Sequence, residues 1–191
     1  MGAIRSPRPV NLICGFISND ADLIRRAIRI LTQYYGPTDA VSEIWPFDDT
    51  DYYEPEMGTN LLRQFASFAE LIDPGRLASI KVHTNEVEGR IGYECGLPRG
   101  QRPVNLDPGY IELSKLVLAT TKNGSHRIYM REGIYAESTL HYREGKWQPW
   151  PHTYPDYASG RYDAFFEDAR NRYKSKLESL GQTKRPEGGR L

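Results

Sequence analysis

The stretch Asn60-Leu-Leu-Arg-Gln-Phe-Ala-Ser-Phe-Ala-Glu-Leu-Ile72 decides the fold. Leu61, Leu62, Phe65, Phe68 and Ile72 fit a helical period, yet the Phe-Ala-Ser-Phe-Ala alternation also permits a strand. Asp73-Pro74 follows at once and opens a helix, with Asp73 as N-cap and Pro74 at the first helical position. Two abutting helices are the less economical arrangement, so residues 60–72 are read as a strand. The helix after it carries Leu77, Ile80, Thr84, Val87 and Ile91 on one stripe. Gly92 or Gly96 ends it, and the run from Gly96 to Pro103 is a loop by composition.

Upstream, Val10 to Ile17 is a short apolar run that reads as a buried strand. Asn19 or Asp20 then offers an N-cap, and Leu23, Ile24, Ala27, Ile28, Leu31, Tyr34 and Tyr35 recur at helical spacing. Arg25, Arg26 and Arg29 fall on the solvated side, and Gly36-Pro37 stops the helix. Ala40 to Phe47 fits a second strand. Downstream, Val104 to Leu106 reads as a strand stopping at the turn Asp107-Pro108-Gly109. Ile111 to Thr121 suits a strand or a short helix.

Two hairpins follow. Arg127 to Met130 turns through Arg131-Glu132-Gly133 into Ile134 to Tyr142, and Glu144-Gly145 turns again toward Trp147. The last helix is capped by Ser159, buries Tyr162, Phe165, Phe166, Ala169, Tyr173, Leu177 and Leu180, and ends at Gly181. The order is strand-helix-strand-strand-helix-strand, then a meander and a helix. That predicts an α+β fold: a ferredoxin-like split βαβ core, an antiparallel β-meander and a C-terminal helix. A single domain is expected over residues 8–180, with a disordered tail over 181–191.

The chain has 191 residues, with 25 basic and 25 acidic side chains. Its isoelectric point near 6.9 argues against a strongly electrostatic nucleic-acid binder. A mean hydropathy of -0.63 and no run of about 20 apolar residues exclude a membrane-spanning helix. The N-terminal sequence lacks the apolar core of a signal peptide, so a cytoplasmic protein is expected. Cys14 and Cys95 suit a reducing compartment.

Against this balanced background, Asp39 to Gly58 holds seven carboxylates and no lysine or arginine. Trp45, Phe47, Tyr52 and Tyr53 are interleaved as anchors. Asp48, Asp49, Asp51, Glu54 and Glu56 supply the hard oxygen ligands that magnesium, manganese or calcium accepts. The spacing is not that of an EF-hand, and a solvated loop held by its aromatics is the alternative. A second constellation is Asn105-Leu-Asp-Pro-Gly-Tyr110, where Asn105 and Asp107 share one strand face; a plain turn is its alternative. The third is Lys115, Lys122, His126 and Arg127 around Thr-Thr-Lys-Asn-Gly-Ser. There, cations beside small residues suit phosphate, and a solvated surface turn explains the same residues.

Several chemistries are excluded by motif. There is no Gly-x-x-x-x-Gly-Lys-Ser/Thr loop, no Gly-x-Gly-x-x-Gly after the first strand, no Cys-x-x-Cys, no His-Glu-x-x-His and no Gly-x-Ser-x-Gly.

The segments 45–58, Lys81 with Thr84-Asn85-Glu86, 104–110, 115–122, 125–129 and 153–157 resemble, in this order, a bacterial domain family of unknown function. Its members are often automatically labelled "GTP-binding protein", and the resemblance runs from about Arg8 to Leu180. It implies no assigned activity. Neither a phosphate loop nor an Asn-Lys-x-Asp guanine-reading motif stands behind the GTP label here.

These residues together give the expectation of a protein that binds a phosphorylated small molecule or nucleotide, with magnesium and metal-assisted phosphoryl chemistry as the fitting reaction class. Asp49, Asp51, Glu54 and Asp107 would hold the cation. Lys115, Lys122, Arg127 and His126 would meet phosphate. Tyr52, Tyr53 or Tyr110 would stack on a base, with Asn105 as a further polar contact. The rival expectation is a non-catalytic module of ferredoxin-like type that presents a sheet face to a protein or RNA partner. No membrane partner is expected.

Overall fold

Strand β1 (Val10–Ser18) is buried along its whole length, which explains an apolar run without alternation. Its even-numbered side chains Val10, Leu12, Cys14 and Phe16 share one core with α1 (Ala21–Tyr35) and α3 (Leu77–Glu94). Ile13 points the other way, into a second core built on α5 (Asp163–Ser179). The computed structural model describes residues 3–182. Most of the tail anticipated at 181–191 lies outside the described residues.

Between these helices run β2 (Thr38–Val41), β3 (Trp45–Pro46), the short α2 (Glu54–Met57), β4 (Leu62–Ile72), β5 (Asn105–Ile111) and β6 (Lys115–Thr120). They are followed by β7 (Ile128–Arg131), β8 (Ile134–Arg143), β9 (Lys146–Pro149) and the short α4 (Pro155–Ala158). One antiparallel sheet joins them in the order β2-β4-β1-β5-β6-β8-β7, with β3 on β4 and β9 on β8. The molecule is α+β, and among the described residues no helix is long and apolar enough to cross a membrane.

Of residues 60–72, Leu62–Ile72 do form a strand, β4. Phe65 meets the α5 core and Ala66 and Phe68 the α1/α3 core, so both faces of β4 are apolar and the helical spacing was incidental. Asp20 caps α1 by accepting from Asp22 N–H at 2.7 Å. Asp73 accepts from Gly75 N–H at 2.7 Å, opening a 3-10 turn that leads into α3. Both hairpin turns place two residues in the left-handed region, Glu132-Gly133 and Glu144-Gly145.

Three expectations need correction and one open alternative is resolved. The strand expected over 40–47 is two pieces, because Ser42 leaves the ladder to bond β4 through both its backbone N–H and its hydroxyl. Of the two alternatives open for Ile111 to Thr121 the strand is the one taken, as β6 over Lys115–Thr120, after β5 ends at Ile111. Ser159 follows α4 rather than capping α5, which starts after Tyr162, and Leu180 is exposed rather than buried. Asp107-Pro108-Gly109 is not a turn: β5 continues through it, paired with Gly15, Cys14 and Ile13 of β1.

Gly109 sits where β5 and β6 meet most closely. A Cβ there would lie 2.4 Å from the Val117 carbonyl oxygen and 2.6 Å from Leu118 Cδ2. The backbone oxygen cannot yield without separating the strands. We expect Gly109→Ala to lower stability by about 1–3 kcal/mol, read as a shift of the urea midpoint at unchanged m-value.

Candidate functional site

β5 and β6 pair only from Gly109–Ile111 to Leu116–Leu118, next to the connection between them. Toward the other end they part, and β5 keeps only β1 as a neighbour. The backbone of Leu106 faces the gap. Its N–H donates to Glu88 Oε1 at 2.6 Å, and its carbonyl accepts from Lys81 Nζ at 2.7 Å. Two side chains of α3, seven residues apart and so on one helix face, thus replace a β-strand partner. Pro108, two residues on, faces the same side of β5, where its missing N–H goes unneeded.

The gap opens a cavity of about 500 Å³. Asn105, Asp107 and Arg63 form its floor, with Lys81 and Asn85 from α3, residues Leu118 to Lys122 from β6 and the turn after it, and Tyr154 to Tyr157 around α4. The acidic segment covers it with Phe47, Asp49, Thr50, Tyr52 and Tyr53. That segment is pinned by Phe47 and Met57, which pack with Ile17 and Leu61.

Four ionised groups meet on the floor. Arg63, only 4% exposed, donates to Asp156 Oδ2 at 3.0 Å and to Asp107 Oδ2 at 3.4 Å. Lys81 Nζ lies 3.6 Å from Asp107 Oδ1. Asn105 Nδ2 donates to Asp107 Oδ2 at 2.8 Å. Burial pushes the Asp107 carboxyl up, but Lys81 and Arg63 together with the Asn105 hydrogen bond outweigh it and hold the group below the usual carboxylate range. Phe47, Phe65 and Tyr157 flank the Arg63 guanidinium, each ring centroid within 5.5 Å. The Arg63 Nε and the Tyr157 hydroxyl are buried without a hydrogen-bond partner.

Higher up, Arg102 pairs with Glu88 and, at 3.1 Å, with Glu56. Glu137 accepts from Arg127 Nε at 2.8 Å, and Arg127 in turn donates to the Tyr154 hydroxyl at 2.6 Å. Burial pushes Tyr154 up to about 12, so that hydroxyl stays protonated at neutral pH. At the rim the exposed Lys122 ammonium sits 3.6 Å from the centre of the Tyr52 ring.

The anticipated site residues divide. Asp49, Asp107, Asn105, Lys122, Tyr52 and Tyr53 line the cavity. Asp51 and Glu54 instead line a neighbouring hollow with Asp48, Thr59 and Asn60, and Asp49 borders both, as do Phe47 and Thr50. Asp49 is held by Arg161 at 3.1 Å. Among the described residues no three His, Cys, Asp or Glu side chains are grouped to hold a metal. Lys115 pairs with Glu112 beside the β5–β6 connection, away from the cavity. Arg127 and His126 stand behind Glu137, and His126 stacks on His152 at 4.2 Å. Tyr110 packs against the α1/α3 side of the sheet.

Arg63, Lys81, Arg102, Glu137, Asp156 and Tyr157 were not anticipated as site residues. Two of them leave a trace in the sequence: Arg63 shares a strand face with Phe65, and Lys81 lies inside an apolar helical stripe. A charge in a buried pattern needs a partner.

A mixed sheet-and-helix protein with an ion-floored cavity of about 500 Å³ is the class that fold and site define. A family model described as Domain of unknown function (DUF4416) matches residues 8–173, and the chain belongs to that family. No curated protein and no solved structure matches it.

Removing Arg63 would leave Asp156 buried without its cationic partner and Asp107 with Lys81 as its remaining cation. We expect Arg63→Ala to cost about 3–5 kcal/mol, and Arg63→Met combined with Asp156→Leu to recover most of it, both measured by urea denaturation at neutral pH. The acid limb gives a second check. Because the folded Asp107 carboxyl titrates below its unfolded value, its contribution is complete above about pH 4 and is lost as pH falls through the folded value. Asp107→Asn should flatten the stability–pH profile there and leave the slope near neutral pH unchanged.

Proposed function

We propose that the cavity binds a phosphorylated small molecule or a nucleotide. The observation that carries this reading is the parting of β5 and β6, which leaves a concave, ion-floored space in a sheet that is otherwise closely packed. Its volume of about 500 Å³ lies within the range usual for small-ligand sites. Tyr52 and Tyr53 offer aromatic faces at the covering segment, and Lys122 offers a phosphate a cation beside Tyr52.

Magnesium, in this reading, arrives on the ligand phosphate with Asp49 as its protein carboxylate, since this cation keeps most of its shell in water and phosphate oxygens. The Oδ2 atom of Asp49 has no hydrogen-bond partner, which supports that assignment. Asp51 and Glu54 face the neighbouring hollow and are left out of it. Metal-assisted phosphoryl transfer is the reaction class such a site suits.

The order β2-β4-β1-β5, with α1 and α3 sharing one core, supports reading the first half of the chain as a ferredoxin-like split βαβ unit. Helices cover both faces of its central strand, which favours a ligand in the gap over an RNA or protein partner on an open sheet face.

Isothermal titration of the full chain with a panel of nucleotides and sugar phosphates, with and without magnesium, tests the reading. Saturable binding that Lys122→Gln weakens is the expected result. No heat from any member at millimolar ligand would reject it.

A further inference from the structure

Charge is distributed unevenly through the cavity. On the floor, two cations and two anions cancel: Arg63 and Lys81 against Asp107 and Asp156. Such a floor offers no net attraction to a phosphate. It does offer an acceptor. Asp107 is fixed by Asn105, Arg63 and Lys81, yet its side chain remains 22% exposed. An ionised carboxylate accepts hydrogen bonds and donates none, so only a donor-bearing ligand group suits it. The Asn85 side chain and the Thr120 and Thr121 residues on the walls belong to types that both donate and accept, the pairing that hydroxyls require.

The rim is different. Lys122 is exposed, rests on Tyr52, and has no carboxylate within ion-pair distance among the described residues. A ligand complementary to the whole space therefore carries vicinal hydroxyls at its inner end and its anionic group at its outer end.

Resting on the reading of the cavity as a phosphate-ligand site, we propose that its ligand is a polyhydroxylated phosphate, a sugar phosphate or the ribose-phosphate part of a nucleotide. Asp107 accepts from the sugar hydroxyls and Lys122 meets the phosphate. Asp107 is a binding and specificity residue, and no bond-breaking step is assigned to it. A phosphate without hydroxyls gains only the rim contact, and a sugar without phosphate gains only the floor.

Titration of the full chain with ribose 5-phosphate, ribose, n-butyl phosphate, adenosine 5′-monophosphate and its 2′,3′-dideoxy analogue separates the possibilities. The expected result is that ribose 5-phosphate binds about tenfold or more tightly than either ribose or butyl phosphate, since each of these lacks one charge-assisted contact. The nucleotide should lose about tenfold on removal of its two hydroxyls, and comparing it with ribose 5-phosphate reads whether the base adds anything. Asp107→Asn should weaken ribose 5-phosphate and leave butyl phosphate unchanged, whereas Lys122→Gln should weaken both. Should Asp107→Asn fail to fold, the unsubstituted protein with the same ligands gives the answer.

Butyl phosphate binding as tightly as ribose 5-phosphate, together with a dideoxy analogue as tight as its parent, would overturn the hydroxyl assignment while leaving phosphate binding intact. Ribose binding as tightly as ribose 5-phosphate would uphold the hydroxyl assignment and reject the phosphate. No binding by any of the five overturns both.

Discussion

The capping of Leu106 by Glu88 and Lys81 is the interaction on which the site depends. A strand inside a sheet must satisfy its backbone on both sides, and an unpaired buried peptide group costs about as much as a lost hydrogen bond. If β6 ran alongside β5 for its full length there would be no cavity. If β6 parted from it without a substitute, the Leu106 peptide would be stranded. Helix α3 resolves the conflict by supplying one acceptor and one donor from side chains seven residues apart. Burial pushes the Glu88 carboxyl above its ordinary value, against the pull of Lys81, Arg102 and the Leu106 N–H. The group thus sits in a costly place, with three partners to hold it there.

The same helix side chains link structure to chemistry. Lys81 turns one way to the Leu106 carbonyl and another to Asp107, and Asp107 reaches Arg63, which reaches Asp156 in α4. A chain of contacts therefore crosses the gap from α3 through β5 and β4 to the segment before α5. Glu88 extends it upward through Arg102 to Glu56 in the acidic segment. The cover over the cavity is in this way tied to the same helix that holds the gap open.

The elements were legible where one periodicity dominated, as in α1, α3, α5 and the β7–β8–β9 hairpins. The order around β4 was legible because Asp73-Pro74 left room for only one helix. The cavity was not. Asp107-Pro108-Gly109 has the composition of a turn, and its strand conformation follows from partners far away in sequence: β1 on one side and the helix side chains on the other. Asn105, Asp107, Lys122, Tyr52 and Tyr53 were picked out by local chemistry, and they line the cavity. Asp51, Glu54 and Lys115 were chosen by the same logic and point elsewhere. Nothing local separates the two sets, because which side of a covering loop faces inward is set by the distant anchors Phe47 and Met57.

The buried ions are hard to explain as stabilisers. Taking charged groups out of water costs several kcal/mol each, and apolar replacements for buried ion pairs are commonly neutral or better for stability. Here Arg63, Asp107 and Asp156 cluster on one side of β4 and β5, with Lys81 reaching them from α3, beside a second core rich in packed aromatics that could have closed over the same space: Phe65, Tyr157, Tyr162 and Phe166. The Tyr157 hydroxyl and the Arg63 Nε remain without partners there as well. An interior that can pack rings this closely, yet keeps four ions around an open volume, is shaped for something other than its own cohesion. Binding of a polar ligand, as proposed for the cavity, would give those ions a use.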